Sequence, residues 1–322
     1  GLLLPKAAGA GWGDAWNVLT GLSARDIVVM TGLWALGLWL YTFVYTASLP
    51  GLGHTQALNL NLTGSLVSNL LPFGGAAGVA NTYGLTFSWG FGGVATSLMI
   101  LVSGLANLLI RIVLPMVGLL ALMTSDAQLP EGANGVVEST LLVLVLVAIL
   151  VFLMLVSSTV AGWLGALADI VWRWFARLLR RPPPAPRFKA AAQRMQLDAV
   201  GILRTGWYRI AFGMVAYYAS ELALFAWALN SLGAPIGIAE TTAAFALSRV
   251  LTSVVVTPSG VGISEAGTAG LLVLFGTPPA VAAAAVLILH FYTYLIEIPA
   301  GLVGWGWVLA MRKRWSRSEV SA

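Results

Sequence analysis

The feature that most constrains this chain is a run of 16 residues, 141–156, in which every side chain is apolar. The run lies inside a longer segment, residues 136–180, which ends in tryptophan and arginine side chains, as helices do at a membrane surface. Charged residues make up only 9% of the 322 positions, whereas a soluble domain carries about 25%. The chain has too little polar surface to cover a water-facing globule, so a lipid bilayer must be its solvent.

Further apolar segments predict an all-α, polytopic integral membrane protein. Besides residues 136–180, the predicted spans are residues 26–49, 92–124, 206–230 and 279–311. Residues 188–203 carry apolar and basic side chains at helical spacing, which predicts an amphipathic helix on the membrane surface. The predicted organisation is an N-terminal membrane half (1–181), a cytoplasmic linker with the amphipathic helix (182–205) and a C-terminal membrane half (206–322).

Two other apolar segments are interrupted by proline and glycine. Residues 56–89 contain Pro72, Gly74 and Gly75, and residues 238–275 contain Pro258, Gly260 and Gly262. The halves on either side of each break are short for a hydrocarbon core about 30 Å thick at about 1.5 Å per residue. Two helical halves joined within the membrane, a re-entrant hairpin, would solve this problem. Broken backbone is tolerated there only where protein or a water-filled cavity surrounds it.

The basic residues are concentrated in two clusters. Nine of the 17 Lys and Arg residues lie within residues 173–209, and four lie within residues 312–317. Short basic loops resist translocation, so the clusters predict the cytoplasmic face of a bacterial-type plasma (inner) membrane, with the C-terminus cytoplasmic. A nucleic-acid-binding surface is the competing interpretation, but the position of the clusters beside apolar spans argues against it.

This orientation makes the two interrupted segments enter the membrane from opposite faces. Residues 56–89 would enter from inside and residues 238–275 from outside. That arrangement is typical of an inverted repeat with a binding site near the midplane. The same count of spans places Gly1 outside, and we therefore expect a further span upstream of it.

Six ionisable residues inside the apolar segments are candidates for substrate binding. They are Arg111, Glu221, Arg249, Glu265, His290 and Glu297. Such groups are costly in hydrocarbon and usually face a cavity or one another. Arginine offers paired donors to phosphate, and the carboxylates would meet amines or carry protons. Arg249 and Glu265 flank the second break, and the alternative is a structural pair that holds the hairpin closed.

Asn69, before the first break, and Ser259, within the second, are the uncharged candidates. Half-helix termini at the breaks would expose backbone N–H groups, which favour anions. The alternative is that these side chains only satisfy the broken backbone. We expect the glycines at the breaks mainly to allow close backbone approach.

Most catalytic and metal-binding patterns are absent from the sequence. The chain has no cysteine, and its only histidines are His54 and His290, which excludes thiolate zinc sites and a His-rich metal site. No Gly-rich loop ends in Lys-Ser or Lys-Thr, so nothing indicates an ATP motor. We predict no metal, no cofactor and no enzymatic activity. One enzyme hypothesis stays open, an intramembrane hydrolase that pairs Ser259 with His290.

Residues 251–272, LTSVVVTPSGVGISEAGTAGLL, resemble the Pro-Gly-Gly-Leu-Gly-Val-x-Glu-Ala element of the lysylphosphatidylglycerol synthase transmembrane (flippase-like) family. The matching residues are Pro258, Gly260, Gly262, Glu265 and Ala266, whereas Ser259 and Val261 replace a Gly and the Leu. Residues 69–75 loosely resemble the family's Asn-x-x-x-Pro-x-x-x-Gly element. Arg111 lies where the family often has Arg, but His290 stands where another Arg is expected.

The resemblance extends from about residue 34 to the C-terminus, and only its second element is specific. It implies an integral membrane protein related to the flippase half of a lipid-aminoacylating enzyme. We expect no soluble aminoacyl-transferase domain here, so the resemblance implies lipid translocation or lipid binding and not lipid synthesis.

The sequence therefore predicts a flippase or transporter that moves a phospholipid or polyprenyl-linked lipid headgroup through a polar cavity at the midplane. The expected partners are membrane lipids and not nucleic acid. A homodimer and a complex with a separate lipid-modifying enzyme are both left open. The third hypothesis, besides the transporter and the hydrolase, is a structural membrane partner without transport.

Overall fold

The computed structural model describes residues 12–71, 74–124, 133–178, 188–234, 236–252 and 263–319. Every regular element in these ranges is a helix. In chain order the helices are α1 Trp12–Thr20, α2 Ala24–Ser48, α3 His54–Leu70, α4 Gly74–Ser88, α5 Gly93–Thr124, α6 Ala133–Val156, α7 Ser158–Leu178, α8 Phe188–Ser231, α9 Ile238–Leu251, α10 Ile263–Leu274, α11 Pro279–His290 and α12 Glu297–Glu319. One π-helical turn, Phe291–Leu295, joins α11 to α12.

Four helical stretches in the described residues are long and apolar enough to cross a membrane. They are Ala24–Ser48, Gly93–Met123, Ala192–Ser231 and Pro279–Ala310. Helix α6 adds an apolar surface, since Leu142, Leu146 and Leu153 are all exposed. Exposed leucines along a helix are stable in contact with lipid. The predicted all-α, polytopic membrane fold is confirmed.

Three predicted segments have different bounds in the structure. The described part of the predicted segment 136–180, up to residue 178, lies in two helices, α6 and α7, which are separated at Ser157. Conversely, the predicted amphipathic helix 188–203 and the predicted span 206–230 form one continuous helix, α8. Its 44 residues extend over about 66 Å at 1.5 Å per residue, roughly twice the hydrocarbon thickness. Helix α8 therefore has room for both a span and an extension beyond the bilayer core.

Helices α2 and α8 pack closely through small residues. A Cβ added at Gly213 of α8 would lie 3.0 Å from the carbonyl oxygen of Leu40, and one at Gly206 would lie 3.3 Å from that of Ala47. On the α2 side, a Cβ at Gly37 would overlap the hydroxyl of Ser220. Small residues let backbones approach in membranes, where packing rather than hydrophobic burial drives helix association.

The first interrupted segment is a hairpin of two short antiparallel helices, α3 and α4. A Cβ at Gly74 would overlap the backbone of Ser68, and farther from the break the Asn81 side-chain amide donates to the Thr63 hydroxyl at 3.0 Å. The two helices have 17 and 15 residues, or about 25 and 22 Å at 1.5 Å per residue. Pro72 lies outside the described residues. The hairpin thus has helices too short to cross a 30 Å core individually.

The second interrupted segment forms a hairpin of α9 and α10. The Ser264 hydroxyl donates to the carbonyl oxygen of Ser248 at 3.2 Å, and a Cβ at Gly267 would overlap the side chain of Leu251. These helices have only 14 and 12 residues. The predicted break residues Pro258, Ser259, Gly260 and Gly262 lie outside the described residues. The entry of the two hairpins from opposite faces, and the inverted repeat, stay predictions.

Each hairpin packs on one of the long spans. Helix α3 contacts α12, where Asn59 donates to the carbonyl oxygen of Gly304 at 2.8 Å and a Cβ at Gly301 would meet the carbonyl oxygen of Leu62. Helix α9 contacts α5, where a Cβ at Gly118 would lie 3.0 Å from the Cα of Ala243. The space between these two contacts is bordered by both hairpins and by α5, α8 and α12, and it holds the candidate site.

Candidate functional site

A cavity of about 580 Å³ lies between the two hairpins and the long spans. Three charged side chains border it, Arg111 of α5, Arg249 of α9 and Glu297 of α12. The uncharged part of the wall includes tyrosines from α2, α8 and the π-helical turn, and amides and hydroxyls from α3. We call this cavity the chamber. A polar chamber among membrane-spanning helices is the kind of place where buried charges are tolerated.

Arg249 is the most buried cation of the chamber, with only 5% of its surface exposed. Its Nη2 lies 3.5 Å from Oε2 of Glu221 on α8 and donates to the Thr293 hydroxyl at 3.2 Å. The guanidinium also stacks 4.8 Å above the centre of the Phe245 ring. Glu221 in turn accepts a hydrogen bond from Tyr217 at 2.9 Å. These contacts hold the Arg249 charge at the chamber wall, partly neutralised by one carboxylate.

The π-helical turn shapes the part of the chamber wall next to Arg249. A π turn widens the helix and displaces the hydrogen-bonding pattern, and such turns are frequent at functional sites. Here the turn brings Thr293 and Tyr294 to the chamber wall, and Glu297 follows at the start of α12. The Asn69 amide of α3 donates to the Tyr294 carbonyl at 3.4 Å. Glu297, 8% exposed, faces the side chains of Ser65 and Asn69.

Arg111 is positioned by the polar face of α5. Asn107, one turn earlier, donates from its amide to the Tyr41 hydroxyl, and its carbonyl accepts from the Tyr218 hydroxyl at 3.3 Å. Arg111 lies beside the same Tyr218 hydroxyl. The chamber therefore contains a second cation on the face of α5 that also carries Asn107. Two guanidinium groups in one cavity make it suited to an anionic ligand.

Comparison with known protein families assigns the chain to one of them. Residues 1–301 match the family described as Lysylphosphatidylglycerol synthase TM region. The chain belongs to this family. A search of curated proteins and a search of solved structures found no match for it.

This member of the lysylphosphatidylglycerol synthase transmembrane family is a multi-pass membrane protein with apolar spans around a polar chamber. Among the described residues, no group of three or more His, Asp and Glu side chains is arranged to hold a metal ion.

The structure brings several predicted site residues of this family member into the chamber and places others beside it. Arg111, Arg249, Glu297, Asn69 and Gly75 border the chamber. Glu221 contacts it through Arg249. The alternative that Arg249 and Glu265 form a structural pair stays a prediction. The described contacts place Arg249 against Glu221 of α8 and Glu265 against His290 of α11. These two contacts depend on how α8 and α11 pack against the hairpin, which spacing along one segment does not reveal.

Glu265 and His290 form a separate buried pair next to the chamber of this family member. Nδ1 of His290 lies 3.1 Å from Oε1 of Glu265, and both side chains are mostly buried. The imidazole ring centre is 5.6 Å from that of Tyr294, which does border the chamber. In the described part of the chain neither member of the pair borders the chamber itself. Ser259, the proposed hydrolase partner of His290, lies outside the described residues.

Sequence reasoning missed most of the uncharged wall of the chamber. The missed residues include Tyr41, Tyr45, Asn61, Ser65, Ser68, Asn107, Tyr217, Tyr218 and Tyr294. A signal existed on α3, where polar side chains at 61, 65, 68 and 69 recur at helical spacing and so share one face. The tyrosines gave no such signal because tyrosine is common in membrane spans, particularly near the interfaces.

Proposed function

We propose that this protein translocates a phosphate-containing lipid headgroup, from a phospholipid or a polyprenyl-linked lipid, through the chamber. The membrane would be a bacterial-type inner membrane, with the C-terminus cytoplasmic. The observation that carries the proposal is the chamber itself, a polar cavity of about 580 Å³ bordered by two arginines and a glutamate among apolar spans. Membership of a family named for the membrane region of a lipid-modifying enzyme supports the same class of ligand.

The free-energy cost of placing charged side chains in the membrane indicates that the charges of the chamber bind a ligand. Each charged side chain at the centre of a bilayer costs at least about 2.5 kcal/mol, so such residues are rare unless they act on something. One of the arginines, Arg249, has a carboxylate partner in Glu221. The second cation gives the chamber a second site that a phosphate can bind through paired N–H donors.

A phosphate that reaches Arg249 would compete with Glu221 for the guanidinium. The present separation of 3.5 Å is longer than a charge-assisted hydrogen bond of about 2.8 Å. A phosphate bound in bidentate fashion would therefore replace a weaker contact with a stronger one. The displaced Glu221 carboxylate would then meet an amine of the headgroup or take up a proton. Glu297 would provide the second such carboxylate.

Alternating exposure of the chamber would come from movement of the hairpins against the long spans. The contacts of α3 with Gly301 and Gly304, and of α9 with Gly118, are close and are made at glycines of the long spans. Packing of this kind permits small sliding displacements without large side-chain rearrangement. The headgroup would remain near the midplane while access changed from one leaflet to the other.

The test is translocation of a fluorescent phospholipid in reconstituted vesicles, followed by chemical reduction of the dye in the outer leaflet. We expect Arg111→Gln to slow translocation strongly while the protein still folds, because Arg111 lies on the chamber wall. Gly306→Ala is the matched control, since a Cβ there would meet open space. Wild-type rates in Arg111→Gln and in the Arg249 variants described below would refute the headgroup role.

A further inference from the structure

A second cavity of about 480 Å³ lies on another face of α5 and α8. We call it the groove. Among the described residues its lining comes from these two helices and is almost entirely apolar, with Val102 and Ile110 on α5 and Trp207 and Val215 on α8. It is open at the surface, because Trp207 is 62% exposed and Val215 58%. Both helices are candidate membrane spans, so this surface meets hydrocarbon.

The groove and the chamber share their walls. On α5, residues 103, 104, 107 and 111 border the chamber, whereas residues 102, 106, 109, 110 and 113 border the groove. On α8, Tyr217 and Tyr218 border the chamber, and Met214 and Val215, within the preceding turn, border the groove. The hydrogen bond from Tyr218 to Asn107 closes the seam between the two helices. A polar cavity and an apolar one therefore lie on different faces of the same two helices.

A lipid presents the same division in one molecule. Its headgroup is stable in the chamber, but the chamber wall is rich in polar groups and offers its hydrocarbon chains a poor environment. The chains must remain in an apolar setting while the headgroup is inside. The lipid therefore needs an opening between the polar chamber and an apolar surface. This opening is short where a lipid-facing apolar surface lies directly behind the chamber wall. The α5–α8 seam meets this condition.

We infer that an acyl chain of the transported lipid lies in the groove while its headgroup occupies the chamber, with the Asn107–Tyr218 seam as the point of passage. This inference rests on the proposed function. The ligand class is a lipid with a phosphate headgroup and a flexible hydrocarbon chain. Arg111, which follows the groove residue Ile110, places a cation close to the position that the phosphate would take as the chain enters.

The binding test uses the absence of cysteine from the sequence, so a single introduced cysteine can be labelled without background. Ala211→Cys places an environment-sensitive fluorophore in the groove. Phe212→Cys is the control. Phe212 is the residue next to Ala211, so it is exposed at nearly the same depth, but it does not border the groove. The vesicles are phosphatidylcholine with an increasing fraction of phosphatidylglycerol brominated in its acyl chains.

We expect the Ala211 label to reach half-maximal quenching at a roughly fivefold lower fraction of brominated lipid than the control label, the enrichment that about 1 kcal/mol of preferential binding gives. Equal quenching curves would refute a lipid site in the groove and leave only ordinary contact with bulk lipid. Quenching by brominated phosphatidylcholine as strong as by brominated phosphatidylglycerol would contradict the preference for an anionic headgroup that two arginines in the chamber predict.

The transport test fills the groove. Ala211→Phe should slow translocation about tenfold by obstructing the chain, whereas Ala219→Phe should not, since Ala219 is exposed on the same helix and borders neither cavity. If the Arg111 and Arg249 variants slow transport but Ala211→Phe does not, the groove inference is refuted and the proposed function stands. If the Arg111 and Arg249 variants keep wild-type rates, the proposed function itself is refuted. The quenching comparison decides the groove even if Ala211→Phe does not fold.

Discussion

Replacing Arg249 by glutamine separates the structural role of this residue from its role in binding. The variant removes the positive partner of Glu221 and leaves a carboxylate that is only 12% exposed. Removing one member of a buried ion pair typically costs about 3–5 kcal/mol, because the remaining charge loses its compensation. The pair borders a cavity that water can enter, so we expect the lower end, about 3 kcal/mol.

The double variant Arg249→Gln with Glu221→Gln removes both charges together. A glutamine at 221 can still accept from Tyr217, and one at 249 can still meet Thr293. We therefore expect a loss of about 1 kcal/mol, mostly the contact of the guanidinium with the Phe245 ring. The single variant Arg249→Gln should therefore cost about 2 kcal/mol more than the double variant, so the effects of the two replacements should be clearly non-additive.

The assay is the free energy of unfolding in detergent, measured for the wild type, both single variants and the double variant. Lipid translocation is measured on the same preparations. We expect the double variant to be nearly as stable as the wild type and still defective in transport, because it has lost a phosphate donor. Additive effects on stability would show that Arg249 and Glu221 are not a pair in the folded protein. Wild-type transport by the stable double variant would remove the binding role of Arg249.

Three further predictions concern other parts of the molecule. Gly301→Ala should destabilise the protein by about 1–3 kcal/mol, because the new Cβ would meet Leu66 and the backbone of α3. Gly306→Ala is the control and should be neutral, since a Cβ there meets open space. Equal melting temperatures for the two variants would refute the α3–α12 packing. Ser259→Ala should not change the rate of lipid or peptide hydrolysis, whereas loss of such an activity in this variant would favour the hydrolase hypothesis. Glu297→Gln should slow transport of lipids with a cationic headgroup more than that of phosphatidylglycerol, and an equal effect on both would contradict a carboxylate–amine contact.

The spans could be predicted from the sequence because the bilayer imposes a length on every crossing helix. Apolar runs near residues 26–49, 92–124 and 279–311 therefore recur as helices with similar bounds. The division of residues 136–180 at Ser157 was not predicted, because a short run of hydroxyl side chains, residues 157–159, is a weak signal for a helix end. The merging of residues 188–203 with 206–230 was missed because the change of composition marks the membrane surface, and a helix can continue through it.

The charged part of the site could also be predicted, whereas its pairing could not. Arg111, Arg249 and Glu297 stood out because ionisable residues in apolar spans are rare, and all three border the chamber. Their partners come from other helices, as Glu221 of α8 does for Arg249 of α9. Helix packing selects these partners, and no spacing within one segment encodes it. The tyrosine wall was missed for the same reason, since only its position in the fold distinguishes it from other tyrosines.

The central claim is that a polar chamber between the two hairpins receives the phosphate of a lipid headgroup. The most direct measurement is an experimental density map of the protein in phospholipid nanodiscs. The account predicts elongated lipid density with its phosphate within hydrogen-bonding distance of Arg111 and Arg249, and with a hydrocarbon chain leaving between α5 and α8. A map in which the chamber is filled by side chains and lipids lie only on the outer surface would contradict it.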